Sequence, residues 1–218
     1  MKLFYNLNSN IDVLIDDIKN NKETYVNMFK EDFFGFELVV KNIKAKYLHD
    51  TAYNDAEKYL SIREEQMYEN FMVQDKNIGN GIYFGQFGAN HISKSPMILE
   101  NVQSETETSY IDFKPLASIL NNSDKYKGKV MSILYTYEDK YKSEGSNYLN
   151  KDIFSDYLES ENECMLFNFG NSKSPFKEEL LSPFTEQSPY GKDKHITESI
   201  DSMFIIKGVT SSSNLYIK

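Results

Sequence analysis

The amino-acid sequence predicts an α/β protein in which a helical amino-terminal third is followed by alternating strands and helices forming a mainly parallel sheet. The amino-terminal third holds apolar side chains at helical spacing, whereas later segments are short, nearly continuous apolar runs typical of buried strands. Strand and helix alternate through much of the carboxyl half, as in α/β proteins. With 218 residues and 40% hydrophobic content, we expect a single α/β domain over residues 1–218.

Helices are predicted in the amino-terminal third from the spacing of apolar residues. The first follows the cap-like pair Ser9-Asn10 and covers residues 11–20, where apolar side chains recur every three or four positions. A longer helix runs through residues 36–47 for the same reason. Residues 55–71 contain no glycine or proline and are rich in good helix formers, which predicts a further helix.

Strands are predicted at the short apolar runs of the remaining chain. The run GIYFGQF follows Gly79 and Asn80, which break the preceding helix. Similar runs cover residues 129–135, 164–169 and 202–206. Each is short enough for a strand buried in a sheet.

Short helices and loops are predicted between these strands. Residues 115–120 form a predicted helix with Pro115 at a first-turn position, and residues 151–158 form another. Residues 138–150 and 170–199 are rich in Ser, Lys, Glu, Gly and Pro, which indicates surface loops. The second loop is too long for an ordinary connection, which favours a lid or flap.

Charge and composition exclude several function classes. The formal net charge of -9 argues against non-specific binding to nucleic acid or to anionic membranes. The amino terminus turns polar too soon for a secretory signal, and no run approaches the ~18 apolar residues of a membrane span, so we expect a cytoplasmic protein. A single cysteine, Cys164, excludes an intramolecular disulfide and a cysteine-based zinc site. Its apolar setting predicts a core thiol.

The predicted helix over residues 55–71 carries the first candidate binding residues. Arg63, the one arginine of the chain, lies on one helical face with Gln66, Met67 and Asn70. This polar face precedes the predicted strand GIYFGQF, which is not the pattern of a pure packing face. The competing interpretation is that Arg63 and Asn70 cap neighbouring loops or form a salt bridge.

A histidine follows the predicted strand. His91 comes after Gly85 and Gly88, whose small size lets the backbone pass close to a bulky group. An imidazole at a strand end can be a general base, a metal ligand or an oxyanion partner. Gln86 and Asn90 are candidate substrate-binding groups beside it, together with Asn70. The competing interpretation is a histidine that only donates a hydrogen bond to a backbone carbonyl.

The other histidines are interpreted as structural or solvated. His49 lies near the end of a predicted helix, where a cation is favourable, and His195 lies in the long polar loop. Neither has a second histidine at metal-binding spacing, and the sequence contains no HExxH, P-loop or GxGxxG pattern. The sequence therefore indicates no metal and no cofactor.

Two motifs carry a family resemblance, namely the run R-x-x-x-M-x-x-N-F and, after a predicted strand, G-x-x-H. Together they resemble the carboxyl-terminal half of the erythromycin esterase-like family. This family belongs with the TraB, Tiki and ChaN-like proteins. Here the motifs comprise Arg63, Met67, Asn70, Phe71 and the segment from Gly88 to His91. The segments 116–133 and 201–206 resemble the family's next helix and strand and its last strand. The resemblance implies a central sheet and a cleft in which Arg63 holds a carboxylate or oxyanion while His91 orients or activates water.

Several hypotheses follow. The first is a hydrolase-like protein that attacks an ester or amide bond of a small-molecule substrate near His91 and Arg63. The second is a non-catalytic or truncated family member, because no strand bearing the family's glutamate and first histidine precedes Arg63. Such a protein would act as a binding module, form a homo-oligomer or need a partner chain to complete its sheet. The third is haem or metal binding through His91.

Overall fold

The computed structural model describes residues 2–104, 107–137, 154, 157, 159, 164–177 and 195–208. Contacts divide the chain into two compact units, Met1–Ile82 and Tyr83–Lys218. We call them the helical unit and the sheet unit. A single α/β domain over residues 1–218 stays a prediction.

The helical unit confirms the predicted helical amino-terminal third. Its elements are α1 (Lys2–Asn20), α2 (Lys22–Phe29), a short 3-10 turn (Lys30–Asp32), α3 (Phe33–Thr51) and α4 (Ala56–Ile78). The predicted helices correspond to α1, α3 and α4, whereas α2 was not predicted. These helices extend beyond the predicted bounds. The predicted cap Ser9-Asn10 is wrong, since α1 continues through both residues.

Both ends of α4 follow from its sequence. The Asp55 side chain accepts a hydrogen bond of 3.1 Å from the Lys58 N–H, which satisfies one of the free donors of the first turn. The helix ends at Gly79, whose φ of 81° lies in the left-handed region that glycine adopts without strain.

Apolar residues of α1 and α3 form the core of the helical unit. Ile18, Phe33 and Val40 are buried together, and aromatic rings from α2 and α3 pack against them. The rings of Phe29 and Phe36 stack with centroids 4.2 Å apart. An ion pair of 2.9 Å between Lys44 and Asp12 adds a polar link between α3 and α1.

The described residues of the sheet unit form two separate sheets. A hairpin of β1 (Met97–Ser104) and β2 (Glu107–Phe113) is antiparallel, and it was not predicted. The second sheet has the order β3-β5-β4, with the central β5 parallel to β3 and antiparallel to β4. The elements of the sheet unit that follow the hairpin are α5 (Leu116–Asn122), β3 (Ile133–Tyr137), β4 (Cys164–Asn168), α6 (Ile196–Ser199) and β5 (Ser202–Ile206).

The pairings of the described strands do not confirm a mainly parallel sheet, because the three-stranded sheet is mixed and the hairpin is antiparallel. The prediction of a strand at GIYFGQF is wrong, since residues 81–88 have no regular secondary structure. Ile82 and Phe84 in this run are exposed, with 89% of Phe84 accessible. An apolar run becomes a strand only where a neighbour offers backbone partners, and local sequence does not show whether one is present.

The remaining predictions in the sheet unit have mixed outcomes. The predicted helix at 115–120 is α5, and the runs at 164–169 and 202–206 are β4 and β5. The run at 129–135 becomes strand only from Ile133 onward. Of the predicted loop at 170–199, residues 170–177 form bends and turns, and α6 occupies residues that were predicted as loop. The loop at 138–150, most of the helix at 151–158 and residues 178–194 lie outside the described residues.

The inner face of the three-stranded sheet contributes to a buried core. Leu134 and Phe167 flank Met203 in register, and Ile205 lies on the same face of β5. Phenylalanine rings from outside the sheet pack against these residues. The opposite face carries a row of Tyr135, Phe204 and Leu166, one residue from each strand, which we call the outer row.

Cys164 is exposed, so the prediction of a core thiol is wrong. The side chains of a strand alternate between its two faces, and Cys164 occupies the same face of β4 as Leu166 and Asn168. Within β4 only Phe167 is buried. The run CMLF is apolar throughout and therefore does not indicate which face is inward.

Candidate functional site

Arg63 lies on α4 of the helical unit with its side chain exposed. It takes part in none of the ion pairs found among the described residues. The next residue, Glu64, is only 1% exposed, because successive helical side chains point about 100° apart. The guanidinium is therefore accessible to an anion, and the salt-bridge interpretation has no support in the described residues.

Asn70, a candidate substrate-binding residue, joins two helices. Its Nδ2 donates to Asn42 Oδ1 on α3 at 2.8 Å, and its Oδ1 accepts from Gln66 Nε2 at 2.9 Å. The Nδ2 of Asn42 in turn donates to the Leu38 carbonyl at 2.9 Å. These partly buried amides form a chain from α4 to α3. Asn70 therefore joins two helices, which is neither the loop cap nor the salt bridge of the competing interpretation.

We expect Asn70→Ala to lower the free energy of unfolding by about 1–2 kcal/mol, because it leaves amide groups of Asn42 and Gln66 without a partner. The matched control is Asn77→Ala, an exposed position on the same helix that experiences the same change in helix propensity. Urea denaturation measures both. The double variant with Asn42→Ala should destabilise less than the sum of the single variants, and strict additivity would contradict the amide chain.

His49 and His195 have structural roles. The His49 ring packs on Tyr59 with centroids 3.7 Å apart, in the last turn of α3. Beside it, the hydrogen bond from Lys46 lowers the pKa of Asp50, and His49 adds to this effect. His195 is half-buried at the start of α6, so it is not simply solvated as predicted. Its backbone N–H donates to Glu198 Oε1 at 3.0 Å.

His91 closes a single 3-10 turn, Ala89–His91, in the sheet unit. Its N–H donates to the Gly88 carbonyl at 2.9 Å, and its half-buried ring folds back toward Gly88, where an added Cβ would lie 3.5 Å from His91 Cδ2. The neighbouring candidates Gln86 and Asn90 are exposed. The bulky group predicted beside the glycines is found at Gly85, where an added Cβ would collide with the ring of Phe87.

A polar cluster, which we call the latch, follows His91 directly. The Asp201 carboxylate accepts from Lys94 Nζ at 2.6 Å through Oδ1 and from the Ser132 N–H at 2.8 Å through Oδ2. The Ser132 hydroxyl donates to the Ile92 carbonyl, and the Lys94 N–H donates to the Ser199 carbonyl at 2.9 Å. The latch comprises Ile92, Lys94, Ser132, Ser199 and Asp201.

The latch lies at the amino-terminal edge of the parallel strand pair, because Ser132 immediately precedes β3 and Asp201 immediately precedes β5. Sequence reasoning predicts His91 at the carboxyl end of a strand, where α/β proteins commonly bind ligands. That prediction is wrong, since GIYFGQF is not a strand and the segment after His91 is bound to the opposite edge of β3 and β5.

The two candidate catalytic residues lie in different units, with Arg63 in Met1–Ile82 and His91 in Tyr83–Lys218. A shared site for them stays a prediction. The residues that sequence reasoning missed are the latch residues Lys94 and Asp201 and the buried acids Glu64 and Asp75 of α4. A charged residue next to a buried strand, as in ESIDSMFII, is the one signal that could have indicated Asp201.

The described residues contain no group of three or more His, Cys, Asp or Glu side chains that could hold a metal ion. Among their helices, none combines the length and the apolar character that crossing a membrane requires. No protein-family model, curated protein or solved structure matches the chain. Membership of the erythromycin esterase-like family stays a prediction that rests on the residues quoted above.

Proposed function

We propose that the protein is a hydrolase-like relative of the erythromycin esterase-like family that directs water against an ester or amide bond of a small molecule. The observation that carries this proposal is the ordered series Arg63, Asn70, Gly88 and His91. The exposed guanidinium of Arg63 supports it, because a ligand can reach it. The short turn that holds His91 also supports it, since a general base must be held in place.

In this proposal the side chains of His91 and Arg63 have different roles. The imidazole of His91 takes a proton from the attacking water through a neutral ring nitrogen, which can accept a hydrogen bond from that water. The guanidinium of Arg63 donates hydrogen bonds to the oxygen that becomes negative as the tetrahedral intermediate forms. Gln86 and Asn90, exposed beside His91, offer amide groups to the substrate.

The test is turnover of a broad panel of esters by the full chain and its variants. We expect His91→Ala to lower kcat/KM by about 10²- to 10⁴-fold and Arg63→Ala to lower it by a comparable factor. The control is His195→Ala, because it also removes an imidazole but lies outside the candidate site residues. Measurable turnover that His91→Ala leaves unchanged would end the proposal.

A second candidate is a binding function in which another polypeptide covers the sheet, first of all a second copy of this chain. The observation in its favour is the outer row, in which Tyr135 and Leu166 are 57% and 56% exposed. A sheet face that carries large apolar side chains on neighbouring strands is usually buried against a further layer.

Light scattering at increasing protein concentration tests this second candidate. We expect self-association in the wild type that Leu166→Lys weakens, because the substitution places a charge in the outer row. Val13→Lys on α1 is the matched control, since Val13 is also an exposed apolar residue. A monomer at every concentration would contradict the self-association.

A further inference from the structure

We propose that Asp201 is a positioning residue for His91, acting through the latch that holds the segment immediately after the histidine. The inference rests on the proposed role of His91 in catalysis. Asp201 is distant from His91 in sequence and does not itself contact the substrate in this proposal. Its function is to fix the backbone that carries the imidazole.

The Asp201 carboxylate uses both oxygens to connect two parts of the chain. One oxygen binds the Lys94 ammonium at 2.6 Å, and the other accepts the Ser132 N–H at 2.8 Å. The backbone N–H of Asp201 donates to the Ser132 carbonyl at 2.9 Å, which locks these two residues together. Lys94 and Ser132 are therefore both held by a single side chain.

Ser132 connects Asp201 to the backbone next to His91. Its hydroxyl donates to the carbonyl of Ile92, the residue bonded directly to His91. Ile92 also packs against the core of the sheet unit, and the next residue, Ser93, is fully buried. The backbone on the carboxyl side of His91 is therefore fixed by a hydrogen bond and by packing.

The charges of the latch are partly shielded from water. The side chains of Lys94 and Asp201 are only 12% and 27% exposed. Hydrogen bonds between charged groups in such surroundings are stronger than bonds between neutral groups. Asp201→Asn keeps the size of the side chain but removes the charge, so it should weaken the contacts to Lys94 and Ser132 together.

The first readout is the imidazole region of a ¹H–¹³C NMR spectrum at one fixed pH. The chain has 3 histidines, so substituting each in turn assigns every signal. We expect Asp201→Asn to shift or broaden the His91 signal while the His49 signal of the helical unit stays in place. Asp112→Asn, the same change at an exposed position of β2, should leave all of the signals unchanged.

A second variant keeps the proposal testable if Asp201→Asn does not fold. Ser132→Ala removes only the hydroxyl that binds the Ile92 carbonyl, and it should also move the His91 signal. Ser118→Ala is its control, because Ser118 is a buried serine on α5 outside the latch. An unchanged His91 signal in folded Ser132→Ala, or in folded Asp201→Asn, would overturn the positioning role.

Enzyme kinetics provide the second readout. If His91 is catalytic, Asp201→Asn should lower kcat on the order of tenfold to a hundredfold with little change in KM, because the base is displaced and not removed. An unchanged kcat would contradict the positioning role. If His91→Ala leaves turnover unchanged, the proposed function fails, and the NMR experiment still decides whether Asp201 holds the histidine in place.

Discussion

Replacing Phe169 with alanine is expected to lower the free energy of unfolding of the sheet unit by about 3–5 kcal/mol. Phe169 follows β4 directly, is 0% exposed and belongs to the buried core. Its ring lies 6.5 Å from that of Phe154 and 5.9 Å from that of Phe176, measured between centroids. Truncation removes these contacts and leaves a cavity that the neighbouring rings fill only in part.

The matched control for this prediction is Phe84→Ala. Phe84 belongs to the same unit and undergoes the same chemical change, but it is exposed, so we expect a change of at most about 0.5 kcal/mol. Denaturation with guanidinium chloride, followed by circular dichroism, measures both variants. If the two differed by less than about 1 kcal/mol, Phe169 would not be a core residue of the folded protein.

The second large effect is expected for Asp201→Ala, at about 2–3 kcal/mol of destabilisation. The loss of one partner from a buried ion pair costs about 3–5 kcal/mol, and the partial exposure of Asp201 reduces this figure. The variant leaves the Lys94 ammonium in poorly hydrated surroundings and the Ser132 N–H without its acceptor. The same denaturation experiment with Asp112→Ala as control measures the effect.

Removing Lys94 as well should recover part of the stability. In the double variant Asp201→Ala with Lys94→Met, no ammonium is left without a counterion. We therefore expect the double variant to be less destabilised than the sum of the single variants by about 1 kcal/mol or more. Additive effects would show that the ion pair contributes nothing beyond the separate packing of its two side chains.

Sequence patterns predicted the helices and strands whose apolar residues recur at the spacing of a single element. The helical unit follows from apolar residues such as Ile11 and Ile18, which recur at helical spacing and are buried in the structure. The strands β4 and β5 follow from apolar runs bounded by polar residues. In the candidate site, the sequence singled out Arg63 and His91 but wrongly placed His91 at the end of a strand. It did not predict the latch, because the latch residues are far apart in the chain.

By itself the sequence determined the helical amino-terminal third, the positions of β4 and β5, part of β3, and the choice of Arg63 and His91 as the residues to test. The tertiary structure alone decided that GIYFGQF has no strand partner, that the described sheets are not mainly parallel and that Asn70 joins two helices. It also decided that Asp201 binds the segment after His91. The physical reason is that side-chain periodicity records burial along one element, whereas strand direction and hydrogen-bond partners depend on residues distant in sequence.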